Sequence, residues 1–191
     1  MRVLIACEFS GTVREAFCKR GHDAWSCDLL PTDIPSSKHY ETDILDVLFK
    51  PWDLMIAHPP CTYLAVSGAH RFKYKQIEQE KALQFIKLLM QAPIDKIALE
   101  NPVGIISTRI RKPDQIIQPF QFGHPESKRT CLWLKNLPKL VPTNIIPLPE
   151  CGYWDNQPPS GQNKLGPSSD RWKLRSKTYE GIAAAMAEQW G

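Results

Sequence analysis

The chain has 191 residues and 21.8 kDa, with 42% hydrophobic and 23% charged residues, which suits one globular domain and excludes a disordered or coiled-coil chain. No apolar run is long enough to cross a bilayer, and Glu8 interrupts the N-terminal apolar run where a signal peptide would continue. The net charge of +4 hides a split: residues 1–100 carry 12 Lys/Arg against 13 Asp/Glu, and residues 101–191 carry 12 against 7. Basic clusters at Arg109–Lys139 and Lys164–Lys177 suit a phosphate-bearing partner or a solvated surface equally. Six scattered cysteines without a Cys-x-x-Cys pair argue against a zinc module or disulfide framework and for a reducing, cytoplasmic setting.

In chain order, Val3–Ala6 is a short apolar run that predicts a central parallel strand. Thr12-Val13-Arg14-Glu15 fits a capping box that opens a helix, closed by Gly21. Residues 23–28 predict a second strand ending in Asp28, residues 41–44 a weaker third, and residues 53–57 a fourth. A helix is expected from about Tyr74 to Gln91, with Ala82, Leu83, Ile86, Leu89 and Met90 on one face, followed by a fifth strand at 96–100. Ten of the 17 prolines lie between Pro113 and Pro167, so loops and edge strands dominate there. Residues 115–122 and 130–134 predict a β-hairpin around Gly123-His124-Pro125. Residues 141–175 predict an extended loop, and 178–190 a terminal helix bearing Ile182, Met186 and Trp190. The alternation gives a single α/β domain over 1–191: a mostly parallel sheet, helices on both faces and a hairpin edge. Such folds place ligands at the carboxyl ends of the strands.

Those ends carry the chemistry. Cys61 follows Pro59 and Pro60, so its backbone has little freedom. An arbitrary cysteine is more often a buried structural residue, but this one leaves its strand where polar loop begins. A zinc deaminase needs Pro-Cys-x-x-Cys and His-x-Glu; Leu64 and the absence of His-x-Glu exclude it. A metal site built on His58 and Cys61 lacks further ligands, and the Asp/Asn-Pro-Pro-aromatic pattern of exocyclic-amine methyltransferases is broken by both residues. Glu100 ends the fifth strand, where poor solvation favours a retained proton and a general-acid role; pairing with a nearby cation is the equal alternative. Phe9-Ser10-Gly11, Asp28 and Asp43-Ile44 lie at three successive strand ends. There glycine admits close approach, a helix N-terminus favours a negative group, and the acids suit ribose hydroxyls and an adenine amino group. Together they predict an adenosine-type cofactor.

With these pieces in order, the chain resembles the DNA (cytosine-5) methyltransferase family over most of its length. Phe9-Ser10-Gly11 is similar to the family's first cofactor motif, Asp28 to its ribose-binding acid and Thr42-Asp43-Ile44 to its adenine-reading motif. The segment from Asp53 through Pro60-Cys61 to Ser67-Gly68 resembles its strand, Pro-Cys and base-closing loop. Glu100-Asn101-Pro102 resembles Glu-Asn-Val, and Gly123 to Lys128 resembles Gly-x-Pro-Gln-x-Arg. The resemblance implies a Rossmann-like methyltransferase fold with S-adenosylmethionine as cofactor, held by Phe9, Ser10, Gly11, Asp28, Asp43, Ile44 and Pro60. It implies Cys61 and Glu100 as catalytic residues and Ser67, Asn101, Lys128 and Arg129 as contacts to a flipped cytosine in DNA. No metal and no membrane enter this reading, and a phage or bacterial setting suits it. The sequence departs from the family in lacking further glycines after Gly11 and in carrying Glu126, Lys128 and Pro102 at motif positions. Only residues 130–177 separate the base-contact motif from the last helix. That length implies a separate specificity subunit, a homo-oligomer or a free nucleotide substrate, and leaves a non-catalytic binder as the reading of a different class.

Overall fold

The computed structural model describes residues 1–159, 164–166 and 168–191, with the side chains of His70 and Arg71 left aside. Five strands run in parallel: β1 (Arg2–Ala6), β2 (Asp23–Asp28), β3 (His39–Glu41), β4 (Leu54–Ala57) and β5 (Lys96–Pro102). β6 (Gln115–Ile117) and β7 (Thr130–Lys135) complete a sheet of order β3-β2-β1-β4-β5-β7-β6, in which β7 is antiparallel to both of its neighbours. The predicted hairpin edge is therefore present, with a 3-10 turn at Pro119–Gln121 inside its connection. The helices are α1 (Thr12–Lys19), α2 (Gln76–Met90), α3 (Ile106–Arg109), α4 (Arg171–Ser176) and α5 (Glu180–Gln189).

Alternation along the central strands explains why both faces are covered. Leu4, Ala6, Met55, Ala57, Ile97 and Leu99 point to one side and pack on Leu83, Ile86 and Leu89 of α2. Val3, Ile5, Leu54, Ile56 and Ala98 point to the other and pack on Val13 and Phe17 of α1 and Ile182, Met186 and Trp190 of α5. A parallel strand buried on both faces reads as continuous apolar sequence for this reason.

Five sequence expectations are corrected. The fifth strand runs Lys96–Pro102 rather than 96–100, because the ladder with β7 continues, so Glu100 lies inside it opposite Leu132. The third strand occupies His39–Glu41 rather than 41–44, because Asp43 accepts the Leu45 N–H at 3.0 Å and caps a short 3-10 turn. No capping box forms at α1: its N-cap is Gly11, at φ 76°, without a side-chain cap bond. The helix expected from Tyr74 begins at Gln76, and a 3-10 segment, Val66–Tyr74, precedes it. The expected 141–175 loop contains the short helix α4, while residues 160–163 and 167 of it lie outside the described residues. Among the described residues no helix is long and apolar enough to cross a membrane.

Candidate active site

The carboxyl ends of β1, β2, β4 and β5 meet along the middle of the sheet. After β1, the chain turns through Cys7 in the left-handed region (φ 58°) and presents Glu8 to the start of α1. The Glu8 carboxylate accepts the Val13 N–H at 2.7 Å, the Arg14 N–H at 3.2 Å and the Ser10 hydroxyl at 3.2 Å. The negative group that a helix N-terminus favours is thus supplied by the chain itself. Burial raises the Glu8 carboxyl above its ordinary range, opposed by the charge of His58 and by these donors.

Arg14 is the second unforeseen residue. Its side chain is 0% exposed, and its guanidinium donates to Ser26 Oγ at 2.8 Å, Thr32 Oγ1 at 3.2 Å and the Ile34 carbonyl at 2.8 Å, with an ion pair to Glu15 at 3.0 Å. It fills the space beside Gly11, where a Cβ would stand 2.7 Å from Arg14 Nη2 and 3.2 Å from Ile34 Cβ. The close approach that Gly11 permits is made by the protein's own side chains. A cation in the first turn of a helix runs against the helix dipole, and that was the signal in the sequence.

Of the residues expected at the cofactor end, Phe9, Ser10 and Ile44 are buried, Asp28 is half-buried, and Asp43 and Pro60 are exposed. Burial raises the Asp28 carboxyl above its usual range, against the opposing N–H groups of Leu30 and Leu29. The Phe9 ring meets Trp172 of α4 at 5.9 Å between centroids.

β4 leads through His58, Pro59 and Pro60 to Cys61. The Cys61 carbonyl accepts the N–H groups of Leu64 and Ala65, both at 3.0 Å, so the residue opens a tight turn. Asn101, 1% exposed, donates its amide to the Pro59 carbonyl at 2.8 Å and leaves its buried Oδ1 without a protein partner. This bond fixes the Pro-Pro segment to β5. Asn101→Ala leaves the buried Pro59 carbonyl without its donor, and thermal denaturation is expected to show a loss of about 1–3 kcal/mol.

Burial pushes the Cys61 thiol up, the charge of Glu100 pushes it further, and Arg175 and Lys128 act in the opposite sense. The Glu100 side chain is 17% exposed, and its Oε2 lies 3.2 Å from Nδ1 of His58. The expectation of a proton-retaining carboxyl is corrected here. Burial does favour the neutral form, but the His58 ring beside it and the charge of Lys128 hold the carboxyl below its ordinary value. Cys7, at the neighbouring strand end, is unsuited to be a nucleophile. Burial first, and then Asp28, Cys27 and Asp43, drive its thiol far above the usual range.

Beside this cluster lies a cleft of about 880 Å³ whose walls include the expected Ser67, Lys128 and Arg129. Cys61 and Glu100 are not among its walls; Ala65 and Pro102, close to them in the chain, are. Lys128, Arg129, Lys164, Arg175 and Lys177 line it against one carboxylate, Glu126, which accepts the Tyr179 hydroxyl. Residues around α4 form its roof. Lys128 Nζ donates to the Arg175 carbonyl at 2.8 Å, and Lys177 pairs with Asp33 at 2.7 Å. Arg175 was legible in the sequence only as one member of a basic cluster. Among the described residues no group of three or more His, Cys, Asp or Glu side chains could hold a metal ion.

No protein-family model matches the chain, and no curated protein matches it in sequence. Among solved structures it is similar to a protein proposed to be a DNA modification methyltransferase, encoded within an E. coli prophage. The TM-score is 0.51 and the identity 16%, over 77% of this chain and 52% of that one. The chain therefore spans about half the length of that structure. At this identity the likeness bears on architecture, and with the strand order it shows that the chain has a Rossmann-like methyltransferase fold.

Proposed function

We propose that the chain methylates C5 of cytosine in DNA, through a covalent adduct of Cys61 and with Glu100 acting at N3. The observation that carries this reading is the tie between the loop of Cys61 and β5: His58 Nδ1 lies 3.2 Å from Glu100 Oε2 and Asn101 donates to the Pro59 carbonyl at 2.8 Å, so the thiol and the carboxylate belong to adjacent strand ends.

C5 of cytosine is too weak a nucleophile to displace a sulfonium methyl. The Cys61 thiolate adds to C6, the C5–C6 π pair moves toward C5, and a proton supplied from Glu100 to N3 stabilises the resulting enamine. With a sulfonium donor bound, C5 would take its methyl as the donor S–C bond breaks to leave a neutral thioether. The C5 proton would pass to water, the N3 proton would return to Glu100, and the S–C6 bond would break to restore both thiolate and ring. The donor set after β1, β2 and β3, on the same carboxyl edge of the sheet, suits S-adenosylmethionine: Asp28 would accept from ribose hydroxyls and Asp43 from an adenine amino group, with Phe9 and Pro60 as apolar contacts. Bound there, S-adenosylmethionine supplies an electrophilic methyl group.

The cationic cleft favours a polymer of phosphates, with Lys128 and Arg129 as phosphate or base contacts, Ser67 on the facing wall and Asn101 holding the loop that carries the nucleophile. A duplex target must present its base by extrusion. Because only residues 130–177 separate the base-contact motif from the terminal helix, we assign sequence choice to a second subunit or a second copy of this chain.

An oligonucleotide containing 5-fluorocytosine tests the reading, since fluorine at C5 cannot leave as the proton does. With S-adenosylmethionine present, a denaturation-resistant adduct is expected. No adduct with single-stranded or duplex DNA, alongside calorimetric binding of S-adenosylmethionine, overturns the DNA assignment. Adduct with 5-fluoro-dCMP alone reassigns the substrate to the free nucleotide.

A further inference from the structure

We propose that His58 is a positioning residue that acts through Glu100: the two side chains form a proton-holding pair that supplies N3 of the target ring. The inference rests on the cytosine reading above and deepens it.

The geometry comes first. His58 begins the four-residue loop that delivers Cys61, its N–H bonds the Ala6 carbonyl at 2.9 Å, and Asn101 locks the next residue. The ring therefore has little freedom. Its side chain is 8% exposed, Nδ1 is 3.2 Å from Glu100 Oε2, and Nε2 is buried without a protein partner. Glu100 is thus the protein group that hydrogen-bonds this imidazole among the described residues. A buried histidine kept only for packing has no need of a carboxylate in the candidate site.

The charges around the ring come from every strand end that faces it. Glu8, on the turn after β1, feels the charge of His58, as does Glu100 on β5. Lys128 acts on Glu100 from the loop before β7, and Cys61 is coupled to Glu100 from His58's own loop. Glu100 Oε2 stands 3.2 Å from Nδ1, and Glu8 interacts electrostatically with the same ring, so carboxylates from two strand ends act on the imidazole.

This resolves a difficulty in the reaction. Glu100 alone is held ionised and has no proton to give at neutral pH. With His58 protonated, one proton passes from Nδ1 to the carboxylate while one passes from the carboxyl to N3, as the thiolate adds to C6. The imidazole ends neutral, Glu100 ends ionised, and the adduct carries the proton. Elimination of the thiolate runs both transfers backwards, so the pair is regenerated without a co-reactant.

The test uses His58→Gln, which keeps a donor toward Glu100 but carries no exchangeable proton in this range, with His58→Asn as a second variant should the first fold poorly. Two readouts are needed. First, adduct formation with 5-fluorocytosine DNA is expected to slow by about 100-fold at neutral pH. An adduct rate equal to that of wild type overturns the proposal. Second, ¹³C NMR of the Glu100 carboxyl, assigned through Glu100→Gln, is expected to show titration at higher pH in His58→Gln than in wild type. An unchanged Glu100 titration overturns the proposal. If wild type forms no adduct while the Glu100 titration still moves, the cytosine reading fails and the pair stands.

Discussion

Cys61→Ser is expected to abolish the 5-fluorocytosine adduct and to lower methyl transfer by about 10⁴-fold or more, with S-adenosylmethionine binding unchanged by calorimetry. Serine keeps the size of the side chain and removes only the polarizable nucleophile, so a variant that retained turnover would remove Cys61 from the reaction. Glu100→Gln gives a sharper result, because two consequences of the same charge run in opposite directions. Burial, and next the Glu100 carboxylate, hold the Cys61 thiol above its ordinary value, so at neutral pH it is mainly protonated. The thiolate fraction then grows about tenfold per pH unit, and alkylation of Cys61 by iodoacetamide rises with it. Removing the Glu100 charge lowers the thiol, so Cys61 in Glu100→Gln is expected to alkylate faster than in wild type at the same pH. Adduct formation with the base is expected to slow by about 10²–10⁴-fold, because N3 loses its acid. Peptide mass spectrometry separates Cys61 from the other five cysteines. If both rates move together, the two side chains are not coupled as described.

Gly104→Ala is expected to damage stability and turnover at once. Gly104 pairs with Ala65 in an isolated antiparallel bridge, and a Cβ there would lie 2.1 Å from the Leu64 carbonyl oxygen and 2.8 Å from its carbon. These are backbone atoms, so the whole strip must move. Hydrogen bonds from Val66 N to the Val103 carbonyl (3.1 Å) and from Ile105 N to the Leu64 carbonyl (2.9 Å) would stretch with it. The expected cost is about 2–3 kcal/mol, a fall in Tm of roughly 5–10 °C. Leu64 and Ala65 also bind the Cys61 carbonyl, so a displacement of about 1 Å reaches the nucleophile and costs turnover about 100-fold. Gly166→Ala, with no atom of the described residues within 4 Å of the added carbon, is the matched control and should change neither. An unaltered Tm in Gly104→Ala would show that the strip yields without strain.

The sheet was legible because its signal is local. Runs such as Val3–Ala6 and Leu54–Ala57 announce strands buried on both faces, and the four-residue spacing of Ile182, Met186 and Trp190 announces the helix that covers one of them. What the sequence concealed is partner choice across long separations. Glu100 read as the end of a buried strand, whereas β5 runs on to Pro102, and the ring that meets its carboxylate belongs to His58, 42 positions away. Thr12 and Glu15 satisfied a capping pattern, yet Glu8, from before the turn, reaches the same N–H groups and leaves the pattern unused. Asp43 read as a strand end because a strand and a 3-10 turn share extended backbone at their boundary. Pro-Pro-Cys reads as a backbone with little freedom, while the amide of Asn101 that bonds the Pro59 carbonyl came only with the fold.

The segment around α4 has a mechanical consequence. It is fastened to the loop after β2 through Lys177 and Asp33, to the turn after β1 through Trp172 and Phe9, and to the approach to β7 through Lys128. These three ties join one short segment to three separate strand ends, so on the proposed function any displacement of it to admit a polyanion would loosen the turn after β1 and the loop after β2 together.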